Sequence, residues 1–359
     1  MAHEAQERYS ALVNAKIRQE LVLKDGVVFN NDYEGKPTAG AVKVPVRDTE
    51  VVVSDYDKAN GIAGTASSTG YETILIDKDK AMNEIIDGYD SAAVPDNLVA
   101  DRLDSGGYSL ALQIDKDGGT VLLAAAPTMG IAALTKDNVY ANIVNVRKAL
   151  NKANIPDDGK RFLLVTPDCE ALILTSPEFT AASNLGDKYK ETGAIGKIAG
   201  FNVILWNDST ANLQMLAGHP RFATRVKEWS VPVHVQDLSA SGKYIGASAV
   251  QGRQVYAHKV LRSAAFRAVY SPSVLAVTCA EGGTKGNTIA TVTGNTGSLY
   301  YRIAGANRAK YGDAVTDWTA LTSGTTAIAA KSGDIIEVAE VDSDSKIVAV
   351  GYANAVPKA

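Results

Sequence analysis

Apolar residues recur every fourth position at Tyr9, Val13, Ile17 and Leu21, with Leu12 on the same stripe, and predict a helix over residues 4–22. The opposite face is charged, with Glu4 and Arg8 one turn apart. So narrow a stripe suits a helix that docks on another surface. The period then changes to two. Val42, Val44 and Val46 alternate with Ala41, Lys43 and Pro45, and "YETILIDKDKAMNEIIDGYD" returns as strand after the small-residue stretch "KANGIAGTASSTG". Pro45 has no N–H for a ladder, which marks an edge or projecting strand. Together these segments predict a two-stranded ribbon with a soft tip. Such a ribbon is marginal alone in water and needs a partner surface, on its own domain or on a neighbour.

A helical pattern runs from Pro95 to about Ala126 and stops at Pro127. The pairs Gly106–Gly107 and Gly118–Gly119 each cost helix stability, about 1 kcal/mol per glycine, and predict a kink or break near one pair. A second helix carries a buried stripe at Val139, Ile143, Val146 and Leu150, with Thr135 as candidate N-cap. "RFLLV" predicts a short buried strand and Thr166-Pro167 the start of the helix "PDCEALIL", so this region reads as a compact α/β domain. "VPVHVQDL" and "VQGRQVYAHKVLRSAAFRAVY" read as two further strands. After Tyr270 the chain becomes rich in Thr, Gly, Ala and Val, with short strands between Gly and Asn turns, the spacing of a β-sandwich. Tyr300, Tyr301 and Trp318 are candidates for its core, and the boundary falls near Ser271–Ser273.

One stretch invites a catalytic reading. "GAIGKIAGFNVILWND" (193–208) holds Gly193, Gly196 and Gly200 and a Gly-Lys pair. A phosphate loop needs Gly-Lys followed by Ser or Thr, and a dinucleotide loop needs its glycines between a strand and a helix. Here Lys197 is followed by Ile198 and then by a strand, so no helix N-terminus faces a phosphate. The stretch reads instead as a hairpin turning at Ala199–Gly200. His3, His219, His234 and His258 have no second ligand at metal spacing, nor do Cys169 and Cys279. His234 reads as a surface or interface residue and the Gly218–Pro220 segment as a turn before a strand. Cys169 stands beside Asp168 in the first turn of a helix, where a thiol can be activated, but reads as a plain buried cysteine. Asp101 and Asp104 share a helix face, the ordinary pattern of a solvated acidic surface. No catalytic residue, cofactor site or metal site is predicted, and the chain reads as a non-enzyme.

Composition narrows the classes further. The chain has 359 residues, 46% hydrophobic and 21% charged, with a net charge of −4, which gives no sign of the basic face that gripping DNA requires. Two distant cysteines exclude a disulfide framework and fit a reducing cytosol. No apolar run is long enough to span a membrane, and the charged N-terminus is no secretory signal.

The order of these elements resembles the major capsid proteins of tailed bacteriophages, the Hong Kong 97 type fold. "DKAMNEIIDGYDSAAVPDNLVADRLDSGGYSLALQIDKD" is similar to that family's strand and spine helix, including an Asp near the helix end, here Asp115. "RFLLVTPDCEALIL" resembles a strand and helix of the axial domain, and "TGAIGKIAGFNVILWND" the family's Gly-rich hairpin. "LAGHPRFATRVKEWSVPVHVQDL" and "GRQVYAHKVLRSAAF" resemble its return strands. The resemblance covers about residues 1–268 and implies an α+β fold. Its parts are an N-terminal arm (1–40), an extended loop (41–80), a peripheral domain with spine helix (81–126 and 225–270) and an axial domain (127–224). Residues 271–359 lie outside it and read as an immunoglobulin-like β-sandwich, of a kind some capsid proteins carry on their outer surface, where it would make few contacts that hold the shell together.

The resemblance implies a structural protein that self-assembles as hexamers and pentamers into an icosahedral shell around phage double-stranded DNA. Assembly would take place in the host bacterial cytoplasm, with the DNA held by non-specific proximity. Many relatives begin with a scaffolding segment. The short stretch before the arm here implies that such a segment is absent or trimmed, and if absent that a separate scaffolding protein acts, alongside a portal. Candidate inter-subunit contacts are Tyr9, Val13, Ile17 and Leu21 on the arm, and Tyr56 and Lys58 at the ribbon tip. A cross-linking lysine would lie where Lys58 lies, although a solvated lysine is the simpler reading. Two other readings of the chain are an encapsulin-like bacterial compartment shell and a surface-binding protein with an immunoglobulin-like module.

Overall fold

A computed structural model describes all residues except 1–17, 37–39, 47–49, 52, 63, 65–68, 94–97 and 178–195. The chain begins with the antiparallel ribbon β1 (Ala41–Val46) and β2 (Gly70–Leu75), then β3 (Lys78–Ile86), the short α1 (Gly88–Ala93) and the 28-residue α2 (Leu98–Ala125). β4 (Thr128–Gly130), α3 (Val139–Lys152), β5 (Phe162–Val165) and α4 (Pro167–Leu174) follow. The hairpin β6 (Lys197–Ile198) and β7 (Phe201–Leu205) leads to β8 (Leu213–Gly218). Two long strands return, β9 (Ala223–Asp237) and β10 (Ser248–Val260), and then β11 (Arg267–Tyr270). The last part is all β: β12 (Ser273–Val274), β13 (Ala276–Glu281), β14 (Asn287–Thr293), β15 (Ser298–Ile303), β16 (Thr319–Leu321), β17 (Ala327–Ala329), β18 (Ile335–Val341) and β19 (Ile347–Asn354).

The chain forms two compact units, one of residues 1–124 and 220–262, the other of residues 125–219 and 263–359. In the first, β3, β10 and β9 form an antiparallel sheet in that order, and α2 lies against it. The expected break in α2 is absent, and the helix runs unbroken through both glycine pairs. The reason is packing. A Cβ on Gly106 would stand 2.6 Å from Met82 Sδ, and one on Gly118 3.0 Å from the Phe29 ring and 3.2 Å from His258 Nε2. These glycines let neighbouring side chains reach the helix surface, and burial of Leu110, Ile114 and Leu122 on the same stripe outweighs their propensity cost.

The second unit contains a six-stranded mixed sheet, ordered β4-β11-β8-β5-β7-β6. α3 and α4 cover it through Val139, Ile143, Val146, Leu150, Cys169 and Ile173, which pack with Leu163, Val165, Phe201, Met215 and Val269. The expected stripe of α3 is therefore buried. Its N-cap is Asn138 rather than Thr135, because Asn138 Oδ1 accepts from Thr135 N–H at 2.9 Å and closes the entering turn. Thr166 caps α4 as expected, Oγ1 accepting from Cys169 N–H, with Pro167 in the first turn. The 193–208 stretch is a hairpin where it is described. Ala199 (φ 47°) and Gly200 (φ 84°) both take the left-handed conformation that a tight two-residue turn requires.

The expected long strand from Val250 to Tyr270 is two strands. It breaks over residues 261–266, where a 3-10 turn at Ser263–Ala265 buries Ala265 and Phe266. Beyond Ser271 the same unit carries two sheets, β12-β19-β18-β15-β16 and β13-β14-β17. Leu275, Ala290, Val292 and Ile328 meet Leu299, Leu321, Ile336 and Val338 between them, so these sheets form a sandwich. Tyr300, Tyr301 and Trp318 are only partly buried and pack at its margins, because aliphatic side chains from alternating strand positions already fill the centre.

Candidate assembly surfaces

Arg18 to Lys36, with Gly40, form the described part of the arm. Tyr9, Val13 and Ile17 lie outside the described residues. Leu21 is half-buried, and residues 18–24 are not helical, which corrects the C-terminal end of the predicted helix. The physical reason is that this backbone pairs with other elements instead of with itself. Leu23 N–H donates to Asp115 Oδ2 at 3.2 Å, and Leu23 O accepts from Arg225 Nη2 at 2.8 Å. Farther on, Asn30 N–H donates to Ala223 O, Arg225 N–H to Asn30 O and Gly35 N–H to Lys227 O, so the arm runs parallel to β9 along its edge.

The side chains around Leu23 form a buried clasp. Arg225 Nε donates to His258 Nε2 at 2.9 Å, Arg225 Nη1 to Asp25 Oδ1 at 2.8 Å, and Asp115 Oδ1 lies 3.7 Å from Nη2. The guanidinium also lies over the Phe29 ring, 5.1 Å from its centroid, and Phe29 is fully buried beside His258. Tyr256 O–H donates to Asp117 Oδ2 at 2.8 Å. Burial, and next the Arg225 charge, push the His258 pKa down to about 3. Burial raises the Asp115 carboxyl above its ordinary value against the pull of Leu23 N–H and Arg225. Asp25 and Asp115 face the Arg225 cation, and Asp117 is held by neutral donors, Tyr256 O–H and Gln113 Nε2.

The ribbon behaves differently at its two ends. At the base, Val44 and Ile74 pack on Val226 of β9 and Ala257 of β10, so the subunit itself supplies the partner surface there. Toward the tip, Val51, Val53, Tyr56 and Ile62 are exposed, Val53 at 93% and Tyr56 at 71%. Asp57 closes a turn, accepting from Ala59 N–H at 2.8 Å, from Asn60 Nδ2 at 2.6 Å and, through its carbonyl, from Gly61 N–H. Lys58 is exposed within that turn. These apolar side chains lie in the connection between β1 and β2 and face solvent.

A family model described as "Phage capsid protein" matches residues 83–270, over half of the chain. The chain belongs to the phage capsid protein family. The match begins inside β3 and ends on the last residue of β11, so it spans α2, both long return strands and the six-stranded sheet. Solved structures agree. A Mycobacterium phage Che8 chain is 21% identical, with 74% of this chain and 96% of that chain covered at a TM-score of 0.61. The capsid of the Cyanophage P-SCSP1u is 14% identical, covering 74% and 92% at 0.62. The mature capsid of bacteriophage PhiM1 is 14% identical, covering 72% and 92% at 0.55. At these identities the likeness is one of fold, and it is the Hong Kong 97 type. No curated protein matches the chain. The family match and these structures give the bacterial compartment reading no support.

The capsid protein is thus a structural protein of a shell wall. Among its described residues no group of three or more His, Cys, Asp or Glu side chains is placed to hold a metal ion, and no helix is long and apolar enough to cross a membrane. Cys169 is fully buried, and burial followed by the neighbouring Asp168 and Glu170 pushes its thiol up to about 12, the opposite of activation. His219 is buried and its Nε2 lies 3.0 Å from Asp158 Oδ1. His234 is exposed on β9. Sequence reasoning named Asp115, and His258 only as a histidine without a second metal ligand, but not Arg225, Asp25 or Tyr256. The available signal was a charge inside an apolar strand, Arg225 in "ATRV" and His258 in "VYAHKV".

Proposed function

We propose that the chain is the major capsid protein of a tailed phage, assembling as hexamers and pentamers into an icosahedral shell that encloses double-stranded DNA. In this reading residues 1–40 are the arm, 41–80 the extended loop, 81–126 with 225–270 the peripheral domain with its spine helix, 127–224 the axial domain and 271–359 an immunoglobulin-like β-sandwich. The observation that carries it is the ribbon, anchored at Val44 and Ile74 and exposing Val51, Val53 and Tyr56 toward its tip. Leu21, Tyr56 and Lys58 are then inter-subunit contacts, together with Tyr9, Val13 and Ile17. Assembly takes place in the host cytoplasm with a separate scaffolding protein and a portal. The net charge of −4 suits a container whose wall must not hold the duplex it receives.

Electron microscopy of the purified protein, expressed with and without the scaffolding protein of its own phage, tests this. Closed icosahedral particles with six- and five-fold capsomers are the expected result. Only monomers or open sheets under both conditions would overturn it.

A further inference from the structure

The all-β module after Ser271 is joined to the α/β part of its unit by more than the chain. An ordinary interdomain linker is exposed, flexible and crossed by few contacts. Here the two linking residues are buried, Ser271 at 3% exposure, and Pro272 fixes its own φ. Ser271 is tied on both sides, its N–H donating to Asn212 O at 3.0 Å and its Oγ accepting from Leu134 N–H at 3.0 Å. Asn212, in the left-handed conformation (φ 63°), continues the connection. Its Nδ2 donates to Val348 O in β19 at 3.2 Å, and its Oδ1 accepts from Ser273 Oγ at 2.5 Å.

A second attachment lies far along the chain. The loop between β15 and β16 sets Tyr311 on Tyr270, rings 5.2 Å apart and 19° from parallel. Tyr311 N–H donates to Ile131 O at 3.1 Å, just past the end of the edge strand β4. The approach is so close that a Cβ on Gly130 would stand 2.0 Å from Tyr311 O. The loop is itself held to the sandwich, because Gly312 N–H donates to Ile347 O and Ile347 N–H to Asp313 O.

We infer that the C-terminal sandwich is a fixed strut of the α/β wall, locked by Tyr311 against Gly130, Ile131 and Tyr270 and by Asn212 against β19. It is not an appendage on a tether. The loop acts as a plug on an otherwise open sheet edge, and the sandwich keeps one orientation with respect to the six-stranded sheet. The inference concerns the subunit and stands whether or not the shell has the capsomers proposed above.

Gly130→Ala is a wedge that touches nothing in the core of either part. Amide hydrogen exchange of the full-length free subunit reads its effect. In the wild type the Tyr311 amide is protected at least 100-fold over an unstructured amide. In Gly130→Ala that protection falls at least 10-fold, while Leu163 in β5 and Val338 in β18 stay protected. Tyr311→Ala, which removes the ring stack, lowers the same protection and serves if the wedge variant does not accumulate. A Tyr311 amide unprotected in the wild type, or unchanged in both variants, would overturn the inference. So would independent unfolding of the sandwich in the wild type, seen as exchange at Val338 well ahead of Leu163 and Tyr311.

Discussion

Arg225 donates its Nε proton to His258 Nε2, and this single bond fixes the histidine as the neutral tautomer with its proton on Nδ1. Nδ1 is buried and has no hydrogen-bond partner, so protonating Nε2 would both break the bond and set a second cation against the guanidinium. His258 thus holds Arg225 by remaining uncharged.

The pH dependence of stability follows with a definite sign. The folded pKa, about 3, lies below the unfolded value of 6.5, so the unfolded chain binds more protons between these limits. Stability is full above pH 6.5 and falls as pH drops toward 3, by up to roughly 4 kcal/mol. Asp115, whose carboxyl is raised chiefly by burial, acts in the opposite sense, favouring the folded chain as pH falls through the carboxylate range. Urea midpoints measured between pH 6.5 and the carboxylate range should fall with acidity in the wild type and lie nearly flat in His258→Gln.

Arg225→Met tests the clasp from its other side. It leaves Asp115 without its cation, Asp25 with only the exposed Lys227 Nζ at 3.0 Å, and Leu23 O without the Arg225 donor. Removing one member of a buried ion cluster costs about 3–5 kcal/mol. Equilibrium unfolding should show a loss of that size, and proteolysis should cut first near Lys24. A loss under 1 kcal/mol would mean that the clasp is not what holds the arm.

The two glycine pairs of α2 should respond unequally. Gly107 faces open space, so Gly107→Ala gains helix propensity and raises stability by about 0.5–1 kcal/mol. Gly118→Ala meets the Phe29 ring, which is itself pinned by Arg225, so the same propensity gain is offset and the arm loosens. Thermal unfolding of the two variants in parallel gives the comparison.

This contrast also shows what could be read from the chain alone. The stripe Val139–Leu150, the Thr166-Pro167 cap and the hairpin at Ala199–Gly200 were legible because each depends on residues within one or two turns. The continuity of α2 through its glycines was not, because it depends on Met82, Phe29 and His258, which are distant in sequence. The end of the arm helix failed for the same reason. Leu21 fits a helical stripe, but Leu23 takes its partners from Asp115 and Arg225, 92 and 202 residues away. The ribbon and its need for a partner surface were legible in the alternation of its residues, whereas the apolar side chains exposed toward its tip and the packing of its base on Val226 and Ala257 required the fold.

The ribbon tip separates folding from assembly. Val53→Asp changes an exposed position and should shift subunit stability by less than about 0.5 kcal/mol. The same change places a carboxylate in any contact that covers the tip, so particle yield should fall several-fold while the free subunit stays folded. Sedimentation of assembled and unassembled protein measures both at once. Normal yield would show that Val53 remains in solvent within the shell.

The cysteines give a simple probe of integrity. Cys169 is fully buried with its thiol pushed up, while Cys279 is half-buried on β13. At pH 8 an alkylating reagent should label Cys279 first and leave Cys169 unmodified until the second unit unfolds, as mass spectrometry of the two peptides would record.

The arm's course along β9 carries a consequence for solubility. β9 is an edge strand, and an unpaired edge invites a strand from another chain. Over its first half the arm occupies that edge at Ala223, Arg225 and Lys227. In its second half Pro232 removes a donor, and the register with β10 slips between Gln251 and Arg253, opposite Pro232 and Val233. One half of the strand is masked and the other is made a poor template. A subunit that assembles with copies of itself is thereby kept from joining them edge to edge, the indiscriminate pairing that leads to fibres instead of closed particles.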